Sequence, residues 1–199
     1  MRKTQTAETR KPEILENFYQ VIIQKGIEGA SFGKIARRMN IHPSLIIHYF
    51  KNKENMTLAL ADFLIEKYEA PEFLQFNHIE DTEKRFHALM DTIFSLEWSR
   101  TIDPGVHFCF YYLSFRNSDI RKRYERIIRR FRDYLIKEFE AYRKKDIVKI
   151  RNTRMAADLI VTLMEGLEFH ARFLSESQPF EHFANNAKEL AVKMLTFEG

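Results

Sequence analysis

The segment Ser31–Met56 reads SFGKIARRMNIHPSLIIHYFKNKENM. Ser31 is a good N-cap, and a short helix is expected from there to about Met39. Asn40 tolerates the left-handed backbone that a tight turn needs. Pro43 suits the start of a second short helix, running to about Phe50. Lys51-Asn52-Lys53 reads as a break, and a longer helix follows from about Glu54 to Tyr68. Phe32, Ile35, Ala36 and Met39 share one face of the first short helix. Ile41 lies in the turn, and Leu45 or Ile46 with Tyr49 and Phe50 serve the second. Two such helices cannot bury their apolar faces alone. Ala36 is small enough for a close crossing, and the arrangement is that of a helix-turn-helix.

Working outward, a third wall is expected from a helix over Pro12–Lys25. There Ile14, Leu15, Phe18, Val21 and Ile22 recur at helical spacing, and Gly26 stops the pattern. The first residues look like a polar, mobile arm. Downstream, Ala70-Pro71 ends a helix, and Phe73–Asp81 reads as a connector. Helices are then expected over 81–98, 104–115, 118–145, 152–174 and 179–197. They are punctuated by Asp103-Pro104-Gly105, Asn117-Ser118-Asp119 and Ser175–Pro179. No strand pattern competes. The expected fold is all-α, about nine helices: an arm at 1–9, a three-helix DNA-binding domain at 10–53, a connecting helix at 54–70 and a larger helical domain at 71–199.

Composition agrees. The 199 residues include 45 % hydrophobic and 14 % aromatic residues, enough for a core, with only six Gly and five Pro. Net charge is +4, but the first 60 residues hold ten Lys/Arg against five acids. A basic end on a nearly neutral body suits an anionic partner met by that end, although a solvated basic surface would look the same. The lone Cys109 leaves no intramolecular disulfide and no cysteine-based metal site. The polar start MRKTQTAETRKPE is not a secretory signal. No run approaches the ~18 apolar residues of a membrane span. A cytoplasmic protein with no membrane association is the expectation.

The pattern of Ser31, Ile35-Ala36, Ile41, His48-Tyr49-Phe50 and Lys53-Glu54 resembles the TetR family of bacterial transcriptional regulators, over roughly Ile14–Leu60. The family often has glycine where Asn40 stands and an aromatic where Ile47 stands, which leaves open whether position 47 touches DNA or packs. The resemblance implies a homodimeric, ligand-responsive repressor that binds a roughly palindromic double-stranded operator. His42, Pro43, Ser44, Leu45 and His48 would meet base edges. Ser31, Lys34, Arg37 (or Arg38), Tyr49 and Lys53 would hold phosphates. Effector binding would change the spacing of the two reading helices through the helix at 54–68. Taken singly, His48 reads as a surface or capping histidine, Tyr49 as a core aromatic, and Lys51, Lys53 and Glu54 as a solvated helix start. Their joint spacing favours DNA.

The resemblance makes residues 71–199 a ligand-sensing and dimerising body. Leu159, Leu163 and Leu167, with Phe183, Leu190 and Met194, lie on two helices with wide apolar faces. They would form a four-helix interface with a second copy, or else complete the monomer's own core. A pocket for a small lipophilic or aromatic effector would draw on Met90, Phe94, Trp98, Phe108, Tyr111 and Tyr112, with Glu168 and His170 as polar lining. The same residues would equally make an aromatic core. Seven Lys/Arg between Arg121 and Arg132 read first as a solvated helix face, and second as a site for an acidic ligand. No HExxH, Gly-rich phosphate loop or nucleophile elbow occurs. No enzyme activity, metal or cofactor is expected.

Overall fold

Helix α1 (Ala7–Gly29) begins earlier than the proline suggests, and Pro12 lies inside it. Gly26 interrupts the helical backbone at φ 68° and ψ 169°, where glycine carries no Cβ penalty. Ten helices follow one another in this computed structural model, which describes residues 7–68, 76–174 and 178–197. After α1 come α2 (Phe32–Met39), α3 (Pro43–Phe50), α4 (Lys53–Tyr68) and α5 (Thr82–Ile93). Then come α6 (Leu96–Ser99), α7 (Pro104–Ser114), α8 (Ser118–Lys144), α9 (Thr153–Leu174) and α10 (Phe180–Thr196). A single 3-10 turn covers Phe76–His78, and no strand occurs among the described residues.

Two sequence expectations need correction, and a third falls largely outside the described residues. The arm expected at 1–9 lies outside the described residues up to residue 6, and residues 7–9 already belong to α1. The single helix expected over 81–98 is two helices, and the ten observed agree with the expected total of about nine. Ser95 is extended, and its hydroxyl accepts the Trp98 N–H at 3.0 Å, so a new helix is capped there. The expected stops at Ala70-Pro71 and Ser175–Pro179 fall wholly or largely outside the described residues.

The chain forms two compact units. The first holds α1–α4, α7 and the turns of α8 up to Glu125. Its core contains Ile14, Phe18, Ile35, Ile46, Met56 and Leu60, all fully buried. Burial of Phe18 alone contributes on the order of 2–3 kcal/mol. The stretch Asp103–Glu125 therefore groups with the DNA-binding helices, whereas the sequence reading placed it in the body. Its buried Val106, Phe110 and Ile120 explain the grouping. So do three tertiary bonds: Asp103 N–H to Tyr19 Oη at 2.8 Å, Asn117 Nδ2 to Glu54 Oε1 at 3.1 Å, and Arg123 Nε to Asp62 Oδ1 at 2.7 Å.

The second unit holds α5, α6, α8 from Arg126 onward, α9 and α10. Phe86, Met90, Phe139, Tyr142, Ile160 and Leu195 are central to its core. One polar cluster is buried with them. Tyr142 donates to Glu138 Oε2 at 2.7 Å, and Arg85 Nε stands 3.6 Å from the same oxygen. Burial first, then the bond to Glu138 and its charge, raise the Tyr142 pKa above its usual value.

Candidate nucleic-acid interface

Helix α2 is held at both ends by its own sequence. Ser31 Oγ accepts the Lys34 N–H at 3.3 Å. Asn40, at φ 52° and ψ 49°, donates its N–H to Arg37 O at 3.3 Å, and Ile41 donates to Ala36 O at 3.0 Å. That pair of bonds is the Schellman motif, and it sets the direction in which the chain enters the turn. Ala36 is buried where α2 packs against α3 and α1.

Helix α3 then buries one face and offers the other. Ile46 and Phe50 are buried, while Pro43, Leu45 and Tyr49 are half-buried. His42, Ser44, Ile47, His48 and Lys51 are exposed. Positions 44, 47, 48 and 51 share one helical face. Ile47 is 46 % exposed, so it does not pack in the core; it stands on the outward face between Ser44 and His48. Sequence reasoning left Ile47 open and missed its place there, although the spacing from Ser44 was the available signal. His42 is the N-cap of α3, and its side chain accepts from the Ser44 N–H.

Cations flank this face. Lys34, Arg37 and Arg38 are exposed on α2, and Lys53 opens α4. Lys34 Nζ donates to Gly29 O at 2.6 Å, and Arg38 Nε to Asn17 Oδ1 at 3.1 Å. Asn52 caps α4 by accepting the Asn55 N–H at 2.8 Å. Neither α2 nor α3 has an acid in its first turn, so the positive ends of both helix dipoles are left uncompensated. Lys53 stands at the first position of α4, where the acid Glu54 beside it compensates that helix's dipole.

In the second unit the expected interface residues separate. Leu159, Leu190 and Met194 are exposed at 44 %, 60 % and 37 %. Leu163 and Phe183 are partly buried against the core. Leu167 lies inside the core of this unit. Met155, Phe169 and Phe173 of α9, and Phe197 after α10, are exposed apolar side chains as well.

The expected pocket residues separate as well. Met90 and Phe94 are core residues of the second unit. Trp98 stacks on Phe131 at 5.2 Å, Ser99 donates to Glu168 Oε2 at 2.5 Å, and His170 meets the edge of Phe183 at 5.6 Å. Phe108, Tyr111 and Tyr112 belong to the first unit, where Tyr111 and Tyr112 are exposed. The basic run of α8 is in part ion-paired, Arg123 with Asp62 and Arg132 with Asp158. Burial raises the pKa of the Cys109 thiol, which opposes nucleophile chemistry. Among the described residues no cluster of His, Cys, Asp and Glu could hold a metal, and no helix is long and apolar enough to cross a membrane.

A helix-turn-helix with an exposed polar face and flanking cations, followed by a second helical unit, defines a helical DNA-binding regulator. Two family descriptions match the chain: "Bacterial regulatory proteins, tetR family" over residues 14–60, and "Tetracyclin repressor-like, C-terminal domain" over residues 81–197. The chain belongs to the TetR family and is a DNA-binding transcriptional regulator. Comparison with curated proteins finds no match. Among solved structures it resembles a TetR transcription regulator from Haloarcula marismortui, at 16 % identity and TM-score 0.81, over 94 % of this chain and 99 % of that one. A transcriptional regulator from Saccharomonospora viridis in complex with choline is similar at 16 % identity and TM-score 0.80, over 96 % and 100 %. The regulator FadR from Bacillus subtilis in complex with stearoyl-CoA is similar at 19 % identity and TM-score 0.65, over 92 % and 98 %.

Proposed function

We propose that the chain is a homodimeric repressor that reads a roughly palindromic operator and leaves it when a small effector binds. The observation that carries the reading is the exposed face of α3, with His42, Ser44, Ile47 and His48 side by side and cations at its edges. His42, Ser44 and His48 supply polar contacts to base edges. Pro43, Leu45 and the exposed Ile47 supply apolar contact to thymine methyl groups. Ser31, Lys34, Arg37, Tyr49 and Lys53 hold phosphates. Ser31 keeps its hydroxyl proton for this, because its cap bond uses only the oxygen.

The exposed Leu159, Leu190 and Met194 support a second copy docking on α9 and α10. A two-fold dimer places its two recognition helices ~34 Å apart, one turn of DNA. A small lipophilic or aromatic effector is supported by the aromatic side chains of the second unit and by similar structures that hold choline and stearoyl-CoA. Release requires that the effector bind the DNA-free form more tightly than the DNA-bound form. The fold and charge distribution suit a protein of the cytoplasm with no catalytic role.

Fluorescence anisotropy with DNA from upstream of the coding region tests the reading. Tight, salt-sensitive binding that survives excess random DNA is expected. Absence of binding at low salt would sink it, and equal affinity for random DNA would remove the operator.

A further inference from the structure

His42 and Ser44 are neighbours on the outward face, and the structure couples them. His42 Nδ1 accepts the Ser44 backbone N–H at 3.3 Å and lies 2.7 Å from Ser44 Oγ. A backbone N–H only donates, so Nδ1 presents its lone pair. The hydroxyl beside that lone pair must then donate to it. Two polarities follow. The neutral imidazole carries its proton on Nε2, so His42 faces outward as a donor. Ser44 has its proton turned back to His42, so it faces outward with lone pairs only. An uncoupled serine hydroxyl would rotate to suit any base.

We propose that the His42–Ser44 pair sets the polarity of base reading. Ser44 selects a base presenting an exocyclic amino group in the major groove, adenine or cytosine. His42 selects a neighbouring base edge that presents an acceptor, such as guanine O6 or N7. His42 is thus a positioning residue for Ser44 as well as a contact. The inference rests on α3 being the base-reading helix.

The test is site selection from randomised duplexes with the full chain, followed by affinities for single base changes. The variants are Ser44→Ala, His42→Asn and His42→Gln, each checked by thermal unfolding. Asparagine places its amide oxygen where Nδ1 stands and also caps helices well. Glutamine reaches the Nε2 position instead and leaves the Ser44 hydroxyl free to turn. In the natural protein, one half-site position accepts adenine or cytosine and rejects guanine and thymine. Ser44→Ala abolishes that restriction alone, a loss of about fivefold or more for one hydrogen bond. His42→Asn keeps the restriction and changes the neighbouring position. His42→Gln relaxes the restriction to all four bases.

The proposal is overturned if the natural protein accepts guanine or thymine at that position. It is equally overturned if His42→Asn and His42→Gln act alike there, with His42→Asn folded. A natural protein that enriches no sequence at all overturns the base-reading helix itself. That result is distinct from a well-defined site whose preferences ignore these variants.

Discussion

The hydroxyl of Tyr19 accepts the backbone N–H of Asp103 at 2.8 Å, joining α1 to the start of α7 across 84 positions of sequence. Asp103 is itself the N-cap of α7, its side chain accepting the Val106 N–H. The bond therefore fixes where α7 begins against the helix that backs the helix-turn-helix. Tyr19 is buried, so removing the acceptor leaves a donor short of a partner. Tyr19→Phe is expected to cost about 1 kcal/mol and lower Tm by about 2–4 °C. An unchanged thermal unfolding curve would show that the bond adds nothing.

Ser31 separates folding from binding. Ser31→Ala removes the α2 cap and should lower Tm by about 2–4 °C. Ser31→Asp keeps a capping oxygen and should leave Tm in place. Its carboxylate repels phosphate, so DNA affinity should fall. Calorimetry and anisotropy on both variants decide the matter, and an Asp variant that binds DNA as tightly as serine removes Ser31 from the phosphate contacts.

Lys53 tests the electrostatics. Lys53→Ala should weaken binding to all sequences alike and reduce the slope of log affinity against log salt by about one per contact, hence about two per dimer. Affinity measured across a salt series reads this directly. A changed sequence preference with an unchanged slope would move Lys53 from phosphate to base.

Leu190 and Leu159 test the second copy. Either residue changed to Glu puts a charge on the exposed apolar surface of α10 or α9. Sedimentation should show monomers, and operator affinity should drop about 100-fold or more as the two reading heads separate. Retention of the dimer in both variants would place the interface elsewhere.

Alkaline pH tests the buried cluster. The pKa of Tyr142 is raised by burial, then by its bond to Glu138, and that of Tyr134 by burial, then by the Glu138 charge. The unfolded chain loses these protons near pH 10, while the folded chain keeps them to higher pH. Their contribution to stability is complete below about pH 10 and declines as pH rises above it. Urea midpoints at pH 8 and above pH 10 should show this fall, and Tyr142→Phe should make it shallower. A variant with the same pH dependence would remove Tyr142 from the cause.

The helix-turn-helix was legible because its determinants are local. Ser31, Asn40 and Pro43 act within one turn of the backbone, and the apolar spacing of Ile35, Ala36, Ile46 and Phe50 declares a face. Periodicity states that a face is buried but not against what. Leu163, Leu167 and Leu190 look alike in sequence, yet one is exposed, one is partly covered and one is core. Asp103–Glu125 likewise carried no mark of joining the first unit. So the sequence by itself determined an all-helical chain with a DNA-reading motif at Ser31–Lys53. Tertiary structure decided which apolar faces remain outward and which later segment groups with the helix-turn-helix. Those outcomes depend on side chains meeting in space, which no spacing rule along the chain encodes.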